Sequence, residues 1–271
     1  MLNEFRKIPV FIKRDFKMLM TYRMAFFSTF FGTIFMVLYV ALAGGMLQTE
    51  GIEELADYGG EFIPYILVGA VGWQFLWTIV SSTSSSIRHE MMLGTFQSVL
   101  LTSTSLHTIM FSYVVFGCFF SLISVGILVI IGALVFGVEI FANASIFTLI
   151  LILLSTSMMM GFAMIFGGIT IRIKNIGMAV TILQYITLVF SGVFFPITVL
   201  PGFLQPIARV MPFYYSIEGL RKSMITSTPT SELILYVMYL VFFATLFLMI
   251  GHFILRKGLI SAKKDGSLTF Y

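Results

Sequence analysis

The chain has 271 residues, of which 59% are hydrophobic and only 10% charged, and its mean hydropathy is +1.03. A soluble domain is about one quarter charged and just under half apolar. The few charges here cannot cover a water-facing surface, and 30 Phe with 18 Met exceed what one soluble core would hold. A soluble enzyme, a nucleic-acid binder and a disordered chain are excluded, which leaves an integral membrane protein read as a single transmembrane domain over 1–271. The net charge of +4 bears first on orientation in the bilayer. The one cysteine, Cys118, lies in an apolar run and has no intrachain partner for a disulfide.

In chain order, residues 2–22 place Phe5, Ile8, Ile12, Phe16 and Leu19 at spacings of three and four, with Lys7, Lys13, Arg14 and Lys17 on the other face. That pattern predicts a basic amphipathic helix lying in the membrane interface, and Pro9 suits a first helical turn. Met24 to Leu47 is the first of six predicted spans, each needing about 20 predominantly apolar residues. Its Ala41-Leu42-Ala43 imitates a signal-peptide cleavage site, but the apolar run is longer than a usual signal core, so it reads as an uncleaved span. Acidic residues (Glu50, Glu53, Glu54, Asp57, Glu61) crowd the loop that follows. The second span is 62–83. Residues 84–107 are too polar to span yet carry Met91, Met92, Leu93, Phe96, Val99 and Leu100, which need a membrane interface or a partner protein to cover them. Gly94 divides this loop into two short predicted helices.

Further spans are expected at 109–138, 146–171, 176–195 and 233–255. Between the last two, Pro196, Pro201, Pro206 and Pro212 break an otherwise apolar stretch, so 196–230 is expected to re-enter the outer leaflet as short helices. Thirteen of the 16 basic residues fall on one side: six before the first span, Arg88, Arg172, Lys174, and four after the last span. The positive-inside rule puts that side, and both termini, in the cytoplasm.

Motifs of catalysis are missing. No phosphate-binding loop of the G-x-x-x-x-G-K-[ST] type occurs, His89-Glu90 lacks the second histidine of H-E-x-x-H, and the three histidines are scattered. The span cores carry no Asp, Glu, Lys or Arg. Ion-coupled carriers keep such groups at membrane depth, so a path here would be lined by aromatic, Met, Ser, Thr and Gln side chains and would draw its energy from elsewhere.

Two stretches carry a family resemblance. Ser191-Gly192 followed by aromatics and Pro196, then Pro201, Pro212, Tyr214, Tyr215 and Leu220-Arg221, is similar to the signature before the last span of ABC-2 type transporter permeases. Arg88 and Glu90 with Gly94, Thr95, Phe96 and Gln97 resemble the family's loop that contacts its ATPase, although Gln97 stands where an acid is common and Thr102-Ser103-Thr104 lacks a proline often found there. The chain resembles the drug and lipo-oligosaccharide branch. The resemblance implies an all-α membrane fold of six helices, with a separate ABC ATPase in two copies holding ATP and Mg. This chain would hold no cofactor of its own. It also implies a second permease chain, as homodimer or heterodimer, in the cell (plasma or inner) membrane, and no nucleic-acid partner. The implied activity is export of a hydrophobic or amphipathic small molecule or lipid. Export of a lipid-linked polysaccharide and an ATP-independent channel or carrier are the alternatives.

Overall fold

The computed structural model describes residues 6–21, 31–32, 35, 39, 42, 58, 62–102, 104–138, 141, 143–173, 176–226 and 228–264. Among these every regular element is a helix. The helices are α1 (Ile8–Thr21), α2 (Phe62–Met92), α3 (Thr95–Leu101), α4 (Leu106–Phe136), α5 (Ile146–Ile173), α6 (Gly177–Phe190), α7 (Gln205–Val210), α8 (Pro212–Met224) and α9 (Thr230–Lys264). A 3-10 turn, Ile197–Val199, stands between α6 and α7. The expected first span, Met24 to Leu47, lies outside the described residues except for isolated helical positions such as Phe31, Phe35 and Tyr39. Phe5 and the acidic residues that follow the expected first span also lie outside them.

Four described helices are long and apolar enough to cross a membrane: α2, α4 from Thr108, α5 and α9. They match the expected second, third, fourth and sixth spans. The expected fifth span, 176–195, is shorter than the sequence suggests. α6 has 14 residues, a length of about 21 Å against a hydrocarbon core of about 30 Å. It stops at Phe190 because Gly192 takes φ 68, a left-handed conformation that ends a helix and that glycine adopts without strain.

The loop expected at 84–107 starts later than the sequence suggests. α2 runs without a break through Ser84–Ser86 to Met92, 31 residues in all. Hydroxyl groups there bond back to the helix instead of breaking it: Thr83 Oγ1 donates to the Ile79 carbonyl at 2.9 Å and Ser85 Oγ to that of Ser82 at 2.9 Å. At about 46 Å, α2 overruns the hydrocarbon by several turns. The bend at Gly94, with φ 69, falls where the sequence puts it. α4 is capped by Ser105, whose hydroxyl accepts from the Thr108 amide at 3.2 Å, and ends at Gly137 with φ 67.

α2 is the centre of the bundle and α9 its rim: 83% of the most apolar stretch of α2 is buried, against 17% for α9. Trp77 of α2 stacks on Phe213 of α8 at 5.5 Å, meets Phe162 of α5 edge-on, and donates its indole N–H to Thr187 of α6 at 2.8 Å. One side chain thus ties four helices. α5 and α9 run parallel and approach closely. Gly161 and Gly168 on α5 face Gly251 and Gly258 on α9, and a Cβ on Gly168 would come 2.7 Å from the Leu255 Cα. Small residues at such a seam let two backbones pack without side chains between them.

The helix ends sort into two groups. Tyr65 meets Gly192 and Thr148 meets Ser223 at one end. Ile87, Met110, Gly167 and Leu255 meet at the other. The second end carries Arg88, Arg172 and the basic residues of α1 and of the last turns of α9.

Candidate functional site

Three features converge on α2. The first is a cleft of about 550 Å³ along its side. Gln74, Thr78, Ser81, Ser82 and Ser85 of α2 face Phe116 and Phe120 of α4 and Val180, Thr181 and Gln184 of α6. Several of the hydroxyls spend their protons on their own helix, as Thr78 Oγ1 does on the Gln74 carbonyl at 2.7 Å. The cleft therefore shows hydroxyl oxygens, amides and rings. Among the described residues its lining has one charged side chain, Arg88.

The second feature sits at the basic end of α2, where α1 packs across α4. Arg14 of α1 donates to Asp15 Oδ1 from Nε at 2.9 Å and from Nη2 at 2.7 Å, and its Nη1 pairs with Glu90 Oε1. Thr95 Oγ1 donates to Glu90 Oε2 at 2.6 Å. The guanidinium also lies 5.0 Å from the Phe11 ring and 5.6 Å from that of Tyr113. One cation thus binds two carboxylates, and Asp15 Oδ2 is buried without a hydrogen bond from a described residue. Burial pushes the Asp15 carboxyl above the usual carboxylate range, against the pull of Arg14.

Of the residues expected to touch an ATPase, Glu90 and Phe96 are buried, at 4% and 0% exposure. They hold the turn to the bundle. Arg88, Gly94, Thr95 and Gln97 are exposed. So are Met92 at 63% and Leu93 at 54%, two apolar side chains presented outward at the bend. On α1, Lys13, Phe16 and Lys17 are exposed and Ile12 and Arg14 half-buried. Periodicity picks out the apolar stripe of α1 but misses Asp15, which is 5% exposed.

The third feature is at the other end of α2. Arg221 of α8 is fully buried. Its Nη1 donates to Glu218 Oε2 at 2.7 Å, its Nη2 to the Gly192 carbonyl at 2.9 Å, and its Nε to the Tyr65 carbonyl at 3.3 Å. The guanidinium lies 3.7 Å from the Tyr65 ring centre. Glu218 in turn accepts from the Tyr58 hydroxyl, and the Tyr65 hydroxyl donates to the Gly192 carbonyl at 3.0 Å. A side chain at Gly69 would strike the Val193 carbonyl and the Arg221 guanidinium. Each of the three guanidinium nitrogens has an acceptor, the kind of hydrogen bonding that a buried ion pair requires.

The proline-punctuated segment builds this end. Pro196 precedes the 3-10 turn, Pro201 exits it, and Pro212 opens α8 as its first residue. Ser191 is buried, while Tyr214 and Tyr215 stand edge-on at 5.3 Å. Sequence reasoning names Arg221 but misses Glu218, Tyr58 and Tyr65 as its partners. The available signal was the acid and base three residues apart in an apolar helix.

Among the described residues no cluster of His, Cys, Asp or Glu could hold a metal ion. No curated protein matches the chain. The sequence model of the ABC-2 type transporter family matches residues 6–225, from α1 through the Glu90 turn to the Arg221 cluster. That match covers most of the chain, and the chain therefore belongs to the ABC-2 type transporter family, whose members are the membrane permease components of transporters and not themselves the ATPases.

Proposed function

We propose that this permease exports a hydrophobic or amphipathic small molecule or a lipid across the cell membrane. In this reading six helices span the membrane with both termini in the cytoplasm, two permease chains pair, and two separate ATPase chains supply the energy. The observation that carries the substrate class is the cleft beside α2: it offers hydroxyls, amides and rings, with a single charge where Arg88 lines it. Such a lining binds apolar bodies with a few polar groups and gives a cation no counter-charge among the described residues. The gathering of basic residues at one end of the bundle supports the orientation.

The physical route for energy follows from α2. The exposed turn of Met92, Leu93, Gly94 and Gln97 hangs from its end, and the Arg14–Glu90 pair fastens α1 to the same turn. An ATPase pair that closes on this turn moves α1 and α2 together, a rigid-body transition that opens the cleft from one side to the other.

The test uses the permease with its partner ATPase in proteoliposomes. Amphipathic dyes should be transported and should stimulate ATP hydrolysis, and Thr181→Glu, which puts a charge into the cleft, should lower dye export at least about fivefold with assembly intact. The permease alone should hydrolyse no ATP. Equal export by Thr181→Glu and wild type would overturn the substrate class.

A further inference from the structure

A second cavity, of about 440 Å³, lies on the opposite end of the molecule from the basic turn, between the proline-punctuated segment and the start of α9. Its chemistry differs from that of the α2 cleft. Tyr214, Tyr215, Tyr236 and Tyr239 line it, with Arg209 and Glu232. Tyr215 and Tyr239 stack at 4.3 Å, and Tyr214 stands edge-on to Tyr215, so three rings form one continuous aromatic wall. The Tyr215 hydroxyl donates to the Arg209 carbonyl at 2.6 Å, which ties the wall to the last turn of α7. Among the described residues the Arg209 guanidinium forms no ion pair. Glu232 is half open to solvent and shared with Lys222 at 3.3 Å.

An aromatic wall beside a carboxylate recognises an ammonium group. An exposed guanidinium recognises a phosphate, to which its planar fork donates twice. We infer that this cavity binds a zwitterionic phosphate–ammonium group of the phosphoethanolamine or phosphocholine kind, with the ammonium against the tyrosines and Glu232 and the phosphate on Arg209. That chemistry comes from a phospholipid headgroup or from the free headgroup in solution. Its placement on the outward face rests on the proposed orientation. Binding itself does not, since a detergent-solubilised chain exposes both faces.

The test is native mass spectrometry of the full chain with its partner ATPase, in detergent. The probes are dihexanoyl phosphatidylethanolamine, dihexanoyl phosphatidylglycerol and glycerophosphoethanolamine. The wild type should retain the ethanolamine lipid over the glycerol lipid. Loss of two rings in Tyr215→Leu with Tyr239→Leu should weaken that retention roughly tenfold, whereas Tyr239→Phe should leave it unchanged. Arg209→Gln should weaken retention of both lipids, and Glu232→Gln should erase the preference between them. Tyr239 is exposed, so its replacement spares the core. Retention of glycerophosphoethanolamine assigns the site to the headgroup alone. Retention of the lipid only assigns it to the bilayer. Equal retention of the two lipids by the wild type, or no loss in the double tyrosine variant, would overturn the inference. Dye export that fails while this selectivity holds would count against the transport reading only.

Discussion

α2 carries an ionic cluster at each end, and the two are built differently. At the Tyr65 end a single guanidinium meets a single carboxylate, both buried, with backbone carbonyls accepting from its other two nitrogens. At the Glu90 end one half-exposed guanidinium serves two carboxylates, and one carboxylate oxygen is left without a described partner. The first arrangement is closed and balanced. The second is open, charge-rich and next to exposed apolar side chains. Buried pairs of the first kind are costly to break, while pairs screened by solvent contribute little stability. The contrast teaches that the Tyr65 end is built as a fixed anchor and the Glu90 end as a joint.

The largest effect should come from breaking the anchor. Arg221→Ala leaves Glu218 buried and uncompensated and should cost about 3–5 kcal/mol, read as a lowered unfolding temperature in detergent. Replacing both partners, Arg221→Met with Glu218→Leu, should restore much of that loss, because no charge is stranded. A double variant as unstable as the single one would show that the hydrogen bonds to Gly192 and Tyr65 carry the anchor instead. Next is the joint. Glu90→Ala should change the unfolding temperature little, since Arg14 keeps Asp15 as its carboxylate partner and no charge is stranded, but it should free α1 and reduce ATP-driven export strongly. Limited proteolysis of residues 6–21 would report the release. Thr95→Val removes one hydrogen bond to Glu90 and should act in the same direction with about 1 kcal/mol or less.

The smallest effect concerns pH. Burial raises the Asp15 carboxyl in the folded state, so its contribution favours docking of α1 at low pH and is lost as pH rises through the raised value. Arg14, Glu90, His89 and Tyr113 bear on this carboxyl. Proteolytic release of α1 should therefore increase from about pH 4 upward, and Asp15→Asn should flatten that dependence. A steeper profile in Asp15→Asn would place the titrating group elsewhere.

The membrane class, four of the long helices, the bend at Gly94 and the breaking of the proline-punctuated segment into short helices were all legible in the sequence, because each depends on local composition or on one backbone position. The end of α6, the expected fifth span, was not, since nothing in an apolar run shows where a left-handed glycine will sit. Nor was the extension of α2 to Met92. Three consecutive serines look like a loop, yet α2 continues through them, with Ser85 Oγ bonding back to the Ser82 carbonyl and Ser82 and Thr83 to that of Ile79. The sites were harder still. Glu90 reads as a surface charge for a partner, yet it is buried because Arg14, 76 positions earlier, reaches it. Long-range pairing of this kind leaves no periodic trace, and neither does the contact of Tyr58 with Glu218 across 160 positions.

The central claim is that the ATPase docks on the exposed face of the turn after α2 while the buried face of that turn holds α1. Site-directed cross-linking tests it, with single cysteines at Leu93, Phe96 or Gln97 in a Cys118→Ser background and the partner ATPase present. The account predicts adducts with the ATPase from Leu93 and Gln97 and none from Phe96. Adducts absent from both exposed positions, in a complex that still exports, would contradict it.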